Sequence, residues 1–464
     1  HKSIGRRPHA TFISLIYGHG WPPTPVPMMT TGLQACPVSR NHHPNLWPPF
    51  TSITTTPALE QVVRGEGALL YRAEGPPLID AISSWWVTLH GHANPVVAAA
   101  IAEQAATLEQ VIFAEFTHPQ AERLASRLAQ RTGLNRVFFS DNGSTAVEVA
   151  LKTAVQWWHN RSEPRQQLIA FEGAYHGDTF GAMAVGARSL FSEPFDPMLF
   201  PVRRVPWPQT HWNDAAVEAS EQRALDDLEQ ALRTPTAAVI IEPLIQGAGG
   251  MRMVRPHFLQ AVEQLVRHAG SLLIADEVLA GFGRCGRLLA SQRAGIRPDL
   301  VALSKGLTAG FLPMGITMAS EAIFQEFLGS DPTKTLWHGH SFTANPLGCA
   351  AANASLDLLE ADPACHEQFE QRHRIRLERL AGHPRVQRIR LCGTIAAFDL
   401  VTDGEQGYLN PAGKILRGLV RDQGVLIRPL GDVVYLLPPL CISDAQLDQC
   451  YEALRSGLDA LPSP

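Results

Sequence analysis

Short apolar runs that end in polar clusters constrain this chain more than any other feature. VFFS (137–140), QLIAF (167–171), AAVIIEP (237–243), SLLIADE (271–277) and DLVALSK (299–305) alternate with stretches of helical period. Near-continuous Val, Ile and Leu runs separated by helices predict a mostly parallel sheet covered on both faces. Such α/β sheets bind ligands at the carboxyl ends of their strands, where the polar residues of these runs gather. The helix after VFFS places Val147, Ala150, Leu151, Ala154, Val155 and Trp158 on one face, and Thr145 and Glu148 have capping-box spacing.

After about residue 350 the texture changes. Helical stretches (Ala350 to Leu359, Cys365 to Ala381) lead to the shorter strand candidates VQRIRLCG, AAFDLV, VLIRPL and VVYLLPP. Together with strand-like GALLYRAEG upstream they predict a smaller α+β domain built from both chain ends. The expected division is an N-terminal part of the smaller domain at 46–82, a large domain at 83–360 and the rest of the smaller domain at 361–464. Residues 1–45 hold no acidic side chain but several Pro, His and Arg, and are expected to be a disordered extension or upstream readthrough.

A net charge of -5 with 18% charged residues implies no polyanion partner. Seven cysteines without a CxxC pair point to a reducing compartment, and no apolar run approaches the ~20 residues that cross a bilayer. The expectation is an aqueous, cytoplasmic protein without nucleic-acid or membrane partners.

The chemistry gathers at the strand ends. Lys305 follows one buried run and Asp276 ends another, while Gly143 and Ser144 open a helix whose N–H groups and dipole favour a phosphate. Tyr175 and His176, in GAYHGD after a fourth run, offer an aromatic face. A phosphate cup, an aromatic plate, a buried Asp and a buried Lys are the parts that hold pyridoxal 5'-phosphate. The lysine bonds the aldehyde, and the carboxylate keeps the pyridine nitrogen protonated so that the ring acts as an electron sink.

These residues lie in blocks that resemble the class III, fold type I pyridoxal-phosphate aminotransferases: IIEPLIQGAGGM, LLIADEVLAGFGRCG, LSKGLTAG and HGHSFTANPLGCAAANASL, spanning roughly Trp47 to Leu440. SSWW, YHGDTFGAM, the HGHSFTANP block and VLIRPLGDVVYLLPP narrow the resemblance to the biotin-pathway branch. That branch aminates 8-amino-7-oxononanoate to 7,8-diaminononanoate with S-adenosylmethionine as donor. The resemblance implies catalytic roles for Lys305, Asp276 and Tyr175, and a cofactor phosphate held by Gly143 and Ser144. It implies a homodimer in which His340 and Ser341 reach the neighbouring subunit's cofactor; Ser341 stands where the family usually has Thr. Phe50, Trp85, Tyr175, Arg284, Lys305, Gly339 and Arg428 fall to the substrate side, with Arg428 on the acceptor carboxylate and Trp85 as an apolar wall while Trp86 points into the core. No metal is implied.

Without the resemblance, Arg428 also reads as a surface ion-pair residue, Tyr175 as core, and Gly339 and Ser341 as turn residues. Glu242 in IIEP reads as a substrate gate or as a strand-end carboxylate. One departure bears on the donor. The family's WHPYTS element is WPPFTS here, so Phe50 replaces a Tyr hydroxyl, and lysine stands beside S-adenosylmethionine as a candidate donor. Ornithine and 4-aminobutyrate aminotransferases share the Asp, Lys and glycine blocks. GFGRCG at 281–286 matches GxGxxG, the mark of dinucleotide oxidoreductases, but lacks their spacing. HGH occurs twice without HExxH, which argues against a metal hydrolase.

Overall fold

The predicted runs form one seven-stranded sheet in the computed structural model, which describes residues 43, 45–52, 54, 56, 59–403 and 406–462. Its strands are β1 (Arg136–Ser140), β2 (Gln167–Phe171), β3 (Arg203–Val205), β4 (Thr236–Ile241), β5 (Leu272–Asp276), β6 (Leu300–Leu303) and β7 (Gly315–Ala319), in the order β1-β7-β6-β5-β4-β2-β3. Strands β3, β2, β4, β5 and β6 run parallel, and β7 is antiparallel to both neighbours. Every residue of β4, β5 and β6 is buried, as expected of strands covered on both faces. Strand β7, GITMA, was not singled out in the sequence. Its antiparallel return joins β1 to the rest and closes the phosphate side of the sheet.

The helix Gly143–Asn160 lays Ala146, Val147, Ala150, Leu151, Ala154 and Trp158 on this sheet, against Leu168, Ala170, Ile240, Ile274 and Ala302. Its start differs from the expected capping box. Asn142 is the N-cap, its side chain accepting from Thr145 N–H at 3.0 Å while Thr145 Oγ1 accepts from Asn142 N–H at 3.0 Å. Thr145 is therefore the third residue of the helix, and Glu148, one turn on, caps a different helix. Its carboxylate accepts from Thr179 Oγ1 (2.6 Å), Gly181 N–H (2.8 Å) and Ala182 N–H (3.1 Å) at the start of Phe180–Val185.

The chain divides into two units, His1–Glu60 and Gln61–Pro464. The expected extension at 1–45 lies almost wholly outside the described residues. The described part of the first unit contains neither helix nor strand and turns at Pro49 and Phe50, where Phe50 has φ 50°. In the second unit, which contains the expected boundaries at 83 and 361, both chain ends meet in one sheet. Val62–Glu66, Leu69–Arg72 and Leu78–Asp80 form a meander, and Val425–Leu426 pairs parallel to Leu78–Asp80. A second sheet of Val386–Cys392, Ile395–Leu400 and Val433–Leu436 sits beside it in sequence. Arg390 ties this sheet to the loop after β4, donating to Met251 O and Gly250 O, both at 2.7 Å, and pairing with Asp399 at 2.7 Å.

After β5 the chain turns under a buried carboxylate. Glu277 accepts from Ala290 N–H and Ser291 N–H, both at 2.7 Å, and so caps the helix Ala290–Ala294. Burial pushes this carboxyl up to about 7 from an ordinary 4.5. Above pH 4.5 the unfolded chain has released a proton that the folded chain keeps, so this group's contribution to stability falls as pH rises toward 7. We expect Glu277→Gln to flatten that part of the profile between about pH 5 and about pH 7.5, measured by urea unfolding. A slope as steep as that of the unsubstituted chain would contradict the assignment.

Candidate active site

Five strands deliver polar residues from their carboxyl ends to one cavity of about 670 Å³. β1 leads to Asn142, Gly143 and Ser144, β2 to Tyr175 and His176, and β4 to Glu242; β5 ends in Asp276 and β6 is followed by Ser304 and Lys305. Of the residues expected on the cofactor, Gly143, Ser144, Tyr175, Asp276 and Lys305 all border this space.

Asp276 is fixed from two sides. Oδ2 lies 2.7 Å from His176 Nδ1, and Oδ1 accepts from Val278 N–H at 3.0 Å. Both side chains are buried. His176 was expected only as part of an aromatic face; its hold on Asp276 has no signature beyond its place after a strand. Lys305 opens a 3-10 turn with φ 46°. Burial lowers its ammonium below the usual range, and the Asp276 and Glu242 carboxylates act in the opposite sense. Trp86 places its ring centroid 5.0 Å from Lys305 Nζ. Glu242 accepts from Tyr175 N–H (3.0 Å) and Gly247 N–H (3.1 Å), and burial pushes its carboxyl up to about 7. Burial, with Asp178 beside it, also raises the Tyr175 phenol.

These residues fit pyridoxal phosphate. Among the described residues, no protein group takes the amide hydrogens of Gly143 and Ser144, at a helix start where they favour an anion. His176 Nε2 is buried and has no hydrogen-bond partner among the described residues. The cup is also tight. A Cβ at Gly143 would lie 2.7 Å from Val278 Cγ1, and Ser144 Oγ already accepts from Thr179 N–H at 3.1 Å.

The substrate-side residues divide differently from expectation. Trp86, not Trp85, borders the cavity; Trp86 is buried, with Nε1 donating to Tyr435 Oη at 2.9 Å. Trp85 is 43% exposed and lies under Arg428, whose Cζ is 5.0 Å from the ring centroid. Arg284 is not among the residues around the cavity. It is enclosed, donating to Pro438 O (2.8 Å) and Thr88 O (3.3 Å), and burial lowers its guanidinium to about 9. GFGRCG, which contains it, is a run of turns that opens no helix. Gly339, His340 and Ser341 form a loop behind the cup. His340 Nδ1 is 3.5 Å from Asp141, His338 Nε2 is 3.0 Å from His340 Nε2, and Lys152 Nζ is 2.9 Å from His338 Nδ1. Ser341 is exposed, its carbonyl accepting from Gln110 Nε2 at 3.0 Å. Phe50 belongs to the first unit.

Gly143→Ala is expected to weaken pyridoxal phosphate binding about tenfold, or about 1.4 kcal/mol, because the added methyl displaces Val278 into the cup. A fluorescence titration measures it, and unchanged affinity would remove Gly143 from the phosphate site.

The Aminotransferase class-III family profile matches residues 51–458. The chain is 58% identical to the adenosylmethionine-8-amino-7-oxononanoate aminotransferase of Synechococcus elongatus over 90% of this chain and 99% of that protein. It is 38% identical to the protein of the same name from Geobacter sulfurreducens, over 89% and 95%. Among solved structures, that of the Methanocaldococcus jannaschii protein of this name superposes with a TM-score of 0.82 at 30% identity, covering 89% of this chain and 97% of that one. An amine transaminase from an uncultivated Pseudomonas species, solved in its PLP-bound form, superposes with a TM-score of 0.84 at 31% identity, over 91% and 100%. The chain belongs to the class-III aminotransferase family.

Proposed function

We propose that this enzyme uses pyridoxal phosphate to move an amino group from S-adenosylmethionine to 8-amino-7-oxononanoate, giving 7,8-diaminononanoate for biotin synthesis. The observation that carries the reaction type is the convergence of Lys305, the His176-held Asp276 and the Gly143–Ser144 amides on one cavity. The substrates rest on the names of relatives matched along almost their full length.

Bound pyridoxal phosphate supplies an electron sink that lets the hydrogen on an amine-bearing carbon leave as a proton. The protein does the rest. The Gly143 and Ser144 amides would hold the phosphate, and the Asp276 carboxylate would pair with the pyridine nitrogen. Lys305 Nζ takes the proton from the donor's amine-bearing carbon and returns one to the acceptor's carbonyl carbon. Its ammonium, lowered by burial, gives up a proton more readily than an exposed lysine does. Trp86 shields this amine from water. Arg428, outside the cavity lining and over Trp85, takes the acceptor's carboxylate, and Tyr175 borders the reacting carbons.

The same reading makes the enzyme a cytoplasmic homodimer in which His340 and Ser341 serve the neighbouring subunit's cofactor. The exposed Trp337 and Phe342 beside them suit a protein contact. Lysine is the second donor reading, favoured by Phe50 in place of a tyrosine hydroxyl. A buried hydrogen bond of that kind contributes about 1 to 3 kcal/mol when its loss leaves a group unpaired.

A donor screen of the purified enzyme, with 8-amino-7-oxononanoate as acceptor and diaminononanoate detected by mass spectrometry, decides the substrates. Product with S-adenosylmethionine is expected, product with lysine alone would replace the donor, and no product from any donor would defeat the acceptor. Asp276→Ala is expected to abolish turnover in a folded protein. Near-normal activity with retained cofactor absorbance would sink the site assignment.

A further inference from the structure

We propose that Asp80 is a positioning residue for acceptor recognition. Its buried carboxylate holds the turn Ile82–Trp86 in a conformation that side-chain-bearing residues avoid, and that turn sets the Trp85 ring under Arg428. The inference rests on the assignment of Arg428 to the acceptor's carboxylate.

Asp80 ends the strand Leu78–Asp80 and is fully buried. Oδ1 accepts from Ile82 N–H at 3.2 Å; Oδ2 accepts from Ser84 N–H at 2.7 Å and Ser84 Oγ at 3.3 Å, and lies 2.8 Å from His92 Nε2. His92 is pressed into place by Gly65, where an added Cβ would lie 2.6 Å from His92 Cβ. The turn it holds is strained. Ser83 has φ 51°, Ser84 φ 59° with ψ -103°, and Trp86 φ 68°. Three such residues within four positions persist only where the surroundings over-determine them. One carboxylate reaching both the second and the fourth residue after it supplies that constraint, and Ser83 Oγ adds a bond to Leu437 O at 2.7 Å.

Asp80 bears on the two tryptophans through different parts of the turn. Trp86 keeps anchors of its own: Nε1 on Tyr435 Oη, an edge-on contact with that ring at 6.1 Å, and N–H to Ile82 O at 3.2 Å. Trp85 directly follows the Ser84 N–H that Asp80 holds. Losing the carboxylate therefore loosens the Trp85–Arg428 wall while Trp86 stays against Lys305.

Asp80→Asn keeps the shape but sets an NH2 group against Ser84 N–H or His92. In the holoenzyme its KM for 8-amino-7-oxononanoate should rise about tenfold or more, with kcat and the donor half-reaction within about threefold of wild type. Amide hydrogen exchange across residues 83–88 should quicken. Adding Ser84→Gly, which takes the positive φ without strain, should return both KM and exchange to within about threefold of wild type. An unchanged KM in folded Asp80→Asn would overturn the proposal. So would equal losses in both half-reactions that Ser84→Gly does not restore, since Asp80 would then be general core. If wild type does not accept the oxo acid, the functional reading fails separately. The exchange arm then decides alone: quickening that Ser84→Gly reverses supports the hold on the turn, and unchanged exchange refutes it.

Discussion

The arrangement depends on placing one carboxylate at the end of a buried central strand. Asp276 is fixed there by Val278 N–H on one oxygen and by His176 on the other. The sheet order follows from the same need. β5 lies at the centre, flanked by β4 and β6, so Glu242 and Lys305 arrive on either side of Asp276 without long loops. The helix start that follows β1 is brought round by β7, whose antiparallel run sets Gly315 opposite Ser140. Gly315 admits no side chain there, since an added Cβ would lie 2.6 Å from Ser140 Oγ.

A second constraint comes from the smaller sheets. Trp85, Trp86, Arg428 and Tyr435, which contact one another in pairs, come from segments far apart in the chain, and none belongs to the large sheet. They are placed by pairing between remote strands: Leu78–Asp80 with Val425–Leu426, then Leu437 N–H to Ala81 O at 2.8 Å. Arg284 is part of this frame. Its guanidinium spans Thr88 O and Pro438 O and faces the Asp80 charge, which makes it a clamp between the turn and the C-terminal strands. Arg284 reads from its motif as a substrate contact, and in the structure its guanidinium bonds go to backbone carbonyls.

Much of this was legible in the sequence, for a physical reason. Strands buried on both faces are written as unbroken apolar runs, so β1, β2, β4, β5 and β6 and the polar residues beyond them stood out. GITMA did not, because a short strand with a central Thr, paired by antiparallel partners, has no period of its own. The cap of Gly143–Asn160 was misplaced by three residues because Asn142 and Thr145 both suit an N-cap, and only the backbone decides between them. The cavity contact of the buried Trp86 was hidden for the same kind of reason. Alternation or helical spacing predicts opposite faces, but three positive φ values make the turn neither strand nor helix, and the buried ring is the one beside Lys305. Pairings across a hundred residues, His176 with Asp276 above all, leave no spacing to read.

The titrating groups of the cavity are tuned toward one another. Burial moves the Lys305 ammonium down and the Glu242 carboxyl up to about 7, so each approaches neutrality from the opposite side. Charging both is opposed by desolvation and favoured by their mutual attraction, and leaving both neutral reverses the two terms. Asp276 stands apart in its partners, with Val278 N–H on one oxygen and His176 on the other. One cavity thus gathers Asp276, Glu242 and Lys305, the carboxylates and the amine that amino-group transfer through an electron sink requires.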